Sequence, residues 1–299
     1  MNVSLTLSDG SLNPQCLYAQ PYSLLPIAGR HTVTIPALGV SNPIIFDAPQ
    51  EGAFEGRTLT ITSTSAAMLL LEFKHRNRDI INRSQHCANL FGGQIVPAAL
   101  PSLGISPFYM QESLWLMPRE NIILNIQDLS GAPNVVRVAI HGTLYVLAAS
   151  DSAKSSLAGV KTYALERNRK SVPFWYAPPP TLGSNAPIVL GAGATVQNGI
   201  QISSNAAFHW KKTTSVQTAA YEITWFEPFS GRPLSQAPVH SDLISGSALF
   251  PHVWGQGMLL KPSSFLRYTI TNLTPNPNTV YITLHGQHLY DLAGVGPEQ

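Results

Sequence analysis

Two stretches of this 299-residue chain match one another without a gap. Residues 118–142 read PRENIILNIQDLSGAPNVVRVAIHG and residues 262–286 read PSSFLRYTITNLTPNPNTVYITLHG, at an offset of 285 − 141 = 144 positions. Pro118 falls on Pro262, Leu129 on Leu273, Pro133-Asn134 on Pro277-Asn278, Val136 on Val280, and His141-Gly142 on His285-Gly286. Each copy then reaches a Leu-Tyr pair, Leu144-Tyr145 and Leu289-Tyr290, with one extra residue in the second. Upstream, Met68–Phe73 lies beside Tyr221–Phe226, and His86 and His240 each precede a glycine, Gly92 and Gly246, by six residues. Self-similarity of this kind means one folding unit used twice, here a tandem duplication with units of about 130 residues.

Within each copy the apolar residues alternate. Ile122, Leu124 and Ile126 mark one strand and Val136, Val138 and Ile140 the next, separated by SGAPN in one copy and TPNPN in the other. The expectation is a strand–turn–strand hairpin with one buried face at the end of each copy. Further strands are expected at Thr32–Ile35, Thr58–Thr62, Met68–Phe73, Ile188–Leu190, Gly199–Ser203 and Tyr221–Trp225. Many short strands joined by Pro- and Gly-rich turns, with no βαβ alternation, predict an all-β fold. We expect two tandem duplicated antiparallel β-sandwich (jelly-roll-like) domains. The division is an N-terminal arm over 1–21, a first sandwich over 22–148, a linker over 149–172, and a second sandwich over 173–299 with a short tail. Within the linker, Asp151–Lys170 has helical spacing of Leu157, Val160, Ala164 and Leu165 and a basic end, which fits a short helix or an exposed connection.

Charged residues are 11% of the chain, less than half the roughly 25% usual for globular proteins. With 44% apolar residues and a net charge of +2, intrinsic disorder and polyanion binding are both disfavoured, and direct nucleic-acid contact is not expected. No export signal and no apolar run near the ~20 residues of a membrane span is visible. The two cysteines, Cys16 and Cys87, read as free thiols rather than a disulfide framework.

Nine histidines form no HExxH or HxH pattern, no CxxC accompanies them, and GxSxG, P-loop and DxDxDG motifs are missing. We therefore expect no enzyme, no cofactor and no metal. Pro118, His141, Gly142, Pro262, His285 and Gly286 read as repeat-equivalent structural positions: the histidines fix a strand end or turn, and the glycines permit a bulge or a close backbone approach. The basic run Lys74-His75-Arg76-Asn77-Arg78 marks Lys74, Arg76 and Arg78 as candidates for contact with a neighbouring subunit. Phe174-Trp175-Tyr176 and Trp254 supply aromatic surface, with Trp175, Tyr176 and Trp254 as further interface candidates, or as rings on which a sugar stacks.

The length, the duplicated sandwich units, the scarcity of charge and the paired strand endings VAIHGTLYV and ITLHGQHLY together resemble virion structural proteins of bacteriophages. Two groups are similar: head-decoration, cement and collar proteins on jelly-roll-like sandwiches, and double jelly-roll major capsid proteins of tail-less phages. The resemblance implies a non-enzymatic subunit made in the host cytoplasm and located in the virion. Its partners would be other copies of itself, in trimers or larger closed rings, and other virion proteins. It assigns no role to an individual residue. The alternative is a glycan-binding tandem sandwich or a receptor-binding virion protein.

Overall fold

The computed structural model describes residues 2–3, 17–26, 32–76, 78–90, 108–147, 171–181, 187–248 and 250–290. The first half contains β1 (Asn2–Val3), β2 (Leu17–Leu24), β3 (Val33–Ile35), β4 (Ile44–Asp47), β5 (Gly52–Ser63), β6 (Met68–His75), β7 (Arg78–Asp79), β8 (Gln85–His86), the single-turn helix α1 (Cys87–Leu90), β9 (Phe108–Leu116), β10 (Asn121–Asp128) and β11 (Asn134–Leu147). The second contains β12 (Ser171–Tyr176), β13 (Ile188–Leu190), β14 (Thr195–Gln201), β15 (Ala207–Gln217), β16 (Tyr221–Phe226), β17 (Val239–His240), α2 (Ser241–Ile244), β18 (His252–Leu260), β19 (Phe265–Asn272) and β20 (Asn278–Leu289).

The fold is all-β, with every ladder between these strands antiparallel. In the first half one sheet runs β1-β2-β11-β5-β9, with β3 also on β11, and the other runs β4-β10-β6-β7, with β8 also on β6. In the second half the sheets run β12-β20-β15-β18, with β13 also on β20, and β14-β19-β16-β17. Taken in chain order, β2/β3, β11, β5 and β9 correspond to β12/β13, β20, β15 and β18. Likewise β4, β10, β6 and β8 correspond to β14, β19, β16 and β17. Each half is thus a two-sheet sandwich, and both halves thread their strands the same way.

The expected terminal hairpins are corrected. β10 pairs with β4 and β6, whereas β11 pairs with β2, β3 and β5, so the turn between them crosses from one sheet to the other. The second half repeats this, with β19 and β20 in opposite sheets. Alternation shows which face of a strand is buried but not which strand lies beside it. Ile122, Leu124 and Ile126 therefore meet Val136, Val138 and Ile140 across the core rather than along a shared ladder; all six are buried.

The Pro-Asn of the repeat closes this crossing. Asn134 is fully buried, its Oδ1 accepting from the Thr64 backbone N and hydroxyl, while its Nδ2 donates to the Ser65 carbonyl. Asn278, also fully buried, accepts at Oδ1 from the Thr218 hydroxyl and Ala219 N and donates to the Ala219 carbonyl. Each asparagine ties the crossing turn to a corner, that between β5 and β6 in the first half and between β15 and β16 in the second, supplying partners to backbone groups that no ladder reaches. Pro118 and Pro262 open matching type II turns: Glu120 N donates to Met117 O and Ser264 N to Lys261 O, with Arg119 at φ 69° and Ser263 at φ 58°.

Three other expectations move. Leu17–Leu24, assigned in large part to the arm, is a ladder strand on β11, and Asn2–Val3 pairs with its first residues. The strand expected at Gly199–Ser203 lies at Thr195–Gln201. The helix expected within Asp151–Lys170 falls outside the described residues. Each half fills its own core, around Phe46, Phe54 and Phe73 in the first and Phe208, Trp210 and Trp225 in the second.

Candidate functional site

The Gly142 and Gly286 positions organise the broad sheet of each half. Gly142 pairs with Gly56 while His141 pairs with Thr58, which leaves Arg57 as an extra residue on β5. Gly286 pairs with Trp210 while His285 pairs with Lys212, which leaves Lys211 extra on β15. The two halves therefore carry the same bulge with a basic residue at its apex. Glycine is required opposite it: a Cβ on Gly142 would lie 1.9 Å from the Glu55 carbonyl oxygen, and one on Gly286 would lie 2.1 Å from the His209 carbonyl oxygen.

His141 and His285 lie within long strands, on the outward face of the sheet, and not at a strand end as the spacing suggested. Each ring is held by a threonine on the adjacent strand. His141 Nε2 is 2.9 Å from Thr60 Oγ1, and its Nδ1 is 2.8 Å from Ser23 Oγ. His285 Nε2 is 2.8 Å from Thr214 Oγ1. The two pairs differ in their cover: His285 is fully buried, whereas His141 is partly exposed.

The cover over His285 comes from the first half. The Thr214 hydroxyl donates to the Asn89 carbonyl on α1, and Asn89 Nδ2 donates to the Tyr281 carbonyl on β20. The His86 ring lies 4.9 Å from the Tyr281 ring. A corner of the first sandwich thus sits on the broad sheet of the second, and burial there depresses the pKa of His285 to about 3 and that of His86 to about 4.

β12 provides the second tie, and here the aromatic expectation changes. All six of its residues are buried. Phe174 and Tyr176 enter the second core, where Phe174 stacks on His288 at 3.7 Å and the Tyr176 hydroxyl is 3.0 Å from His288 Nε2. Trp175, between them, points the other way into the first core and packs on Phe73 at 5.3 Å. Its backbone N donates to Ile80 O, and its carbonyl accepts from Asn82 N and Gln85 Nε2. Trp175 is an interface residue, but the interface lies inside one chain, whereas Tyr176 is a core residue of its own sandwich. With exposures of 0% and 2%, neither is available to a sugar ring or a neighbouring subunit. Successive side chains of a strand point to opposite faces, so a tripeptide between two sandwiches joins both cores. Trp254 is half-buried on the edge of the second sandwich, its Nε1 donating to Thr213 Oγ1 and its ring against Trp210.

The basic run is engaged within the chain as well. Lys74 pairs with Glu72, Arg76 pairs with Glu120, and Arg78 lies over the Tyr290 ring of the second half at 5.7 Å. His75 shares Glu120, 3.1 Å away, and burial with the two adjacent arginines lowers its pKa to about 4. These side chains do not form the free cationic patch their spacing suggested. On the outer face of the first sheet, Glu55 is buried and accepts from Arg57, Ser113 and the Tyr145 hydroxyl. Burial alone would raise its pKa, but those hydrogen bonds together hold it below the ordinary carboxylate value.

Among the described residues no group of three or more His, Cys, Asp and Glu side chains is placed to hold a metal, and no helix is long and apolar enough to cross a membrane. Sequence reasoning missed the capping role of His86 and His240. Their Nδ1 atoms accept from Ala88 N and Asp242 N at the start of α1 and α2, and the shared six-residue spacing to a glycine was the available signal.

No protein-family description matches the chain, and no curated protein matches it. Among solved structures, a chain in the atomic structure of Sulfolobus turreted icosahedral virus aligns at 8% identity with a TM-score of 0.23, over 88% of this chain and 60% of that one. A chain of infectious bursal disease virus strain Gx aligns at 10% identity with a TM-score of 0.23, over 95% and 73%. Paenibacillus xanthan lyase aligns at 10% identity with a TM-score of 0.20, over 90% of this chain and 25% of the lyase. The chain thus spans about 60% of the first viral chain's length and a quarter of the lyase's. Overlaps of this quality carry no functional argument.

Proposed function

We propose that this protein is a non-enzymatic structural subunit of a virus particle, a phage capsid, head-decoration or collar protein, that assembles with itself and with other virion proteins. The observation that carries the reading is the presence in one chain of two sandwiches whose corresponding strands follow the same order, docked through a buried junction. The sheets have six and five strands in the first half and five and four in the second, and the order shared by their corresponding strands supports the finer reading of a tandem jelly-roll subunit.

The surface supports the same conclusion. A chain with 11% charged residues exposes large apolar side chains, among them Phe250 at 81%, Leu243 at 71% and Phe229 at 61%. Such a surface is suited to permanent cover by neighbours, because interface cores are depleted in charge and enriched in aromatic residues. In this reading the junction makes the two halves one tile, and the particle wall is built from tiles.

The test is mass photometry with negative-stain electron microscopy of the purified chain across a concentration series. Closed oligomers or larger shells are the expected species. A stable monomer at about 100 μM, far above the dissociation constant of any permanent interface, would refute the proposal.

A further inference from the structure

The contact that buries His285 has a counterpart on the first sheet, where Thr60 is 8% exposed and His141 half-buried, that no described α corner covers. The α1 corner of the first half covers the Thr214–His285 pair of the second. The α2 corner is the equivalent element of the second half, at an offset of 240 − 86 = 154 residues, and the Thr60–His141 pair is the equivalent pair of the first. The same 154-residue offset relates Thr60 to Thr214, so both halves of the contact are present at both sites.

We propose that the α2 corner of one chain docks on the Thr60–His141 face of a second copy, repeating between chains the contact that α1 makes within one. The occupant is argued from four observations. The two Thr–His pairs have the same geometry, at 2.9 and 2.8 Å. The Thr214 hydroxyl reaches Asn89 O at 3.1 Å, whereas the Thr60 hydroxyl meets Ala139 O at 3.4 Å. Leu243, which occupies the place of the fully buried Asn89, is 71% exposed, and Phe250 beyond it is 81% exposed. Finally, Arg137 stands exposed on β11 at the position matching Tyr281, and Asp242 stands exposed on α2 at the position matching Ala88. Opposite charges thus replace the neutral side chains of the internal contact, which gives the contact between chains its own specificity.

The two patches differ, so the contact is heterologous and adds chains head to tail until the ring closes. This inference rests on the self-assembling reading and specifies which surfaces meet.

The experiment mixes two full-length chains in a Cys16→Ser background, one carrying Leu243→Cys and the other Arg137→Cys, with a short bis-maleimide. A one-to-one cross-linked adduct is expected from the mixture and not from either variant alone. In mass photometry, Leu243→Asp is expected to raise the concentration at which wild-type oligomers half-dissociate by about tenfold or more, an amount worth about 1.4 kcal/mol per decade. Leu38→Asp, an exposed leucine elsewhere on the first half, is expected to leave it unchanged. Asp242→Arg with Arg137→Asp in one chain is expected to restore assembly weakened by either alone. Wild-type assembly without the mixed adduct, or with Leu243→Asp assembling like wild type, overturns this inference and leaves the structural-subunit reading standing. A Leu243→Cys adduct with itself points to a symmetric contact and also overturns it. A wild-type chain that never assembles overturns both.

Discussion

Replacing Trp175 with alanine separates the contribution of the junction from that of either core. The indole belongs by sequence to the first strand of the second sandwich, yet it is fully buried in the core of the first, against Phe73. Its backbone contacts to Ile80, Asn82 and Gln85 survive the substitution, so the loss is that of the side chain alone. Emptying a site of this size costs about 3–5 kcal/mol, which is about two to four orders of magnitude in the population of the open state. Hydrogen exchange read by mass spectrometry should show faster exchange in β6 and around Ile80 and Ile81, with β19 and β20 protected as in the wild type. Phe174→Ala, one residue earlier, should produce the opposite pattern, because that ring stacks on His288 in the second core. If Trp175→Ala accelerates exchange only in the second half, or costs less than about 1 kcal/mol, Trp175 does not join the cores and the account of the junction is wrong.

Three further outcomes follow from the same geometry. His75 and His86 have pKa values lowered to about 4, and His285 and His288 to about 3, all chiefly by burial. The unfolded chain takes up these protons near 6.5 while the folded chain does not, so stability is complete above pH 6.5 and falls by up to about 1.4 kcal/mol per pH unit for each histidine below it; calorimetry showing equal melting temperatures at pH 7 and pH 5 would contradict this. Gly286→Ala and Gly142→Ala should each cost about 3 kcal/mol or more in urea unfolding, because the added carbon meets a backbone carbonyl that cannot retreat without opening the ladder. Arg119→Gly and Ser263→Gly should each raise stability by about 0.5–1 kcal/mol by relieving left-handed backbone, a gain that thermal melts would register and that an unchanged midpoint would disprove.

How far the sequence could be read is seen in β10 and β11. The alternation of Ile122, Leu124 and Ile126 with the next strand's valines identifies both strands and their buried faces. It says nothing about the partner of either strand, which depends on β4, β5 and β6, far off in sequence. At His-Gly the sequence allowed a bulge or a close backbone approach; the glycine carries the close approach, which is a local requirement, while the extra residue of the bulge stands on the partner strand. The basic run and the aromatic triplet were legible as features but not as contacts. Lys74 and Arg76 find their carboxylates within the first half, whereas Arg78 and Trp175 find their partners across the junction. No periodicity encodes a contact between two folded bodies.

The junction also accounts for where the two halves differ. If both halves were identical, the α1 corner would have two equal sites, its own chain's second sandwich and any neighbour's first. Tyr281, with its ring on His86 and its carbonyl on Asn89, marks the internal site, and at the matching position of β11 the chain carries Arg137. A half-buried aromatic contact favours the permanent, intrachain docking, and an exposed arginine disfavours the same corner at the wrong sheet because α1 offers it no carboxylate. Under the head-to-tail contact we propose, this difference and the one between Ala88 and Asp242 give the chain a direction, with one docking made on folding and the other left for a second molecule.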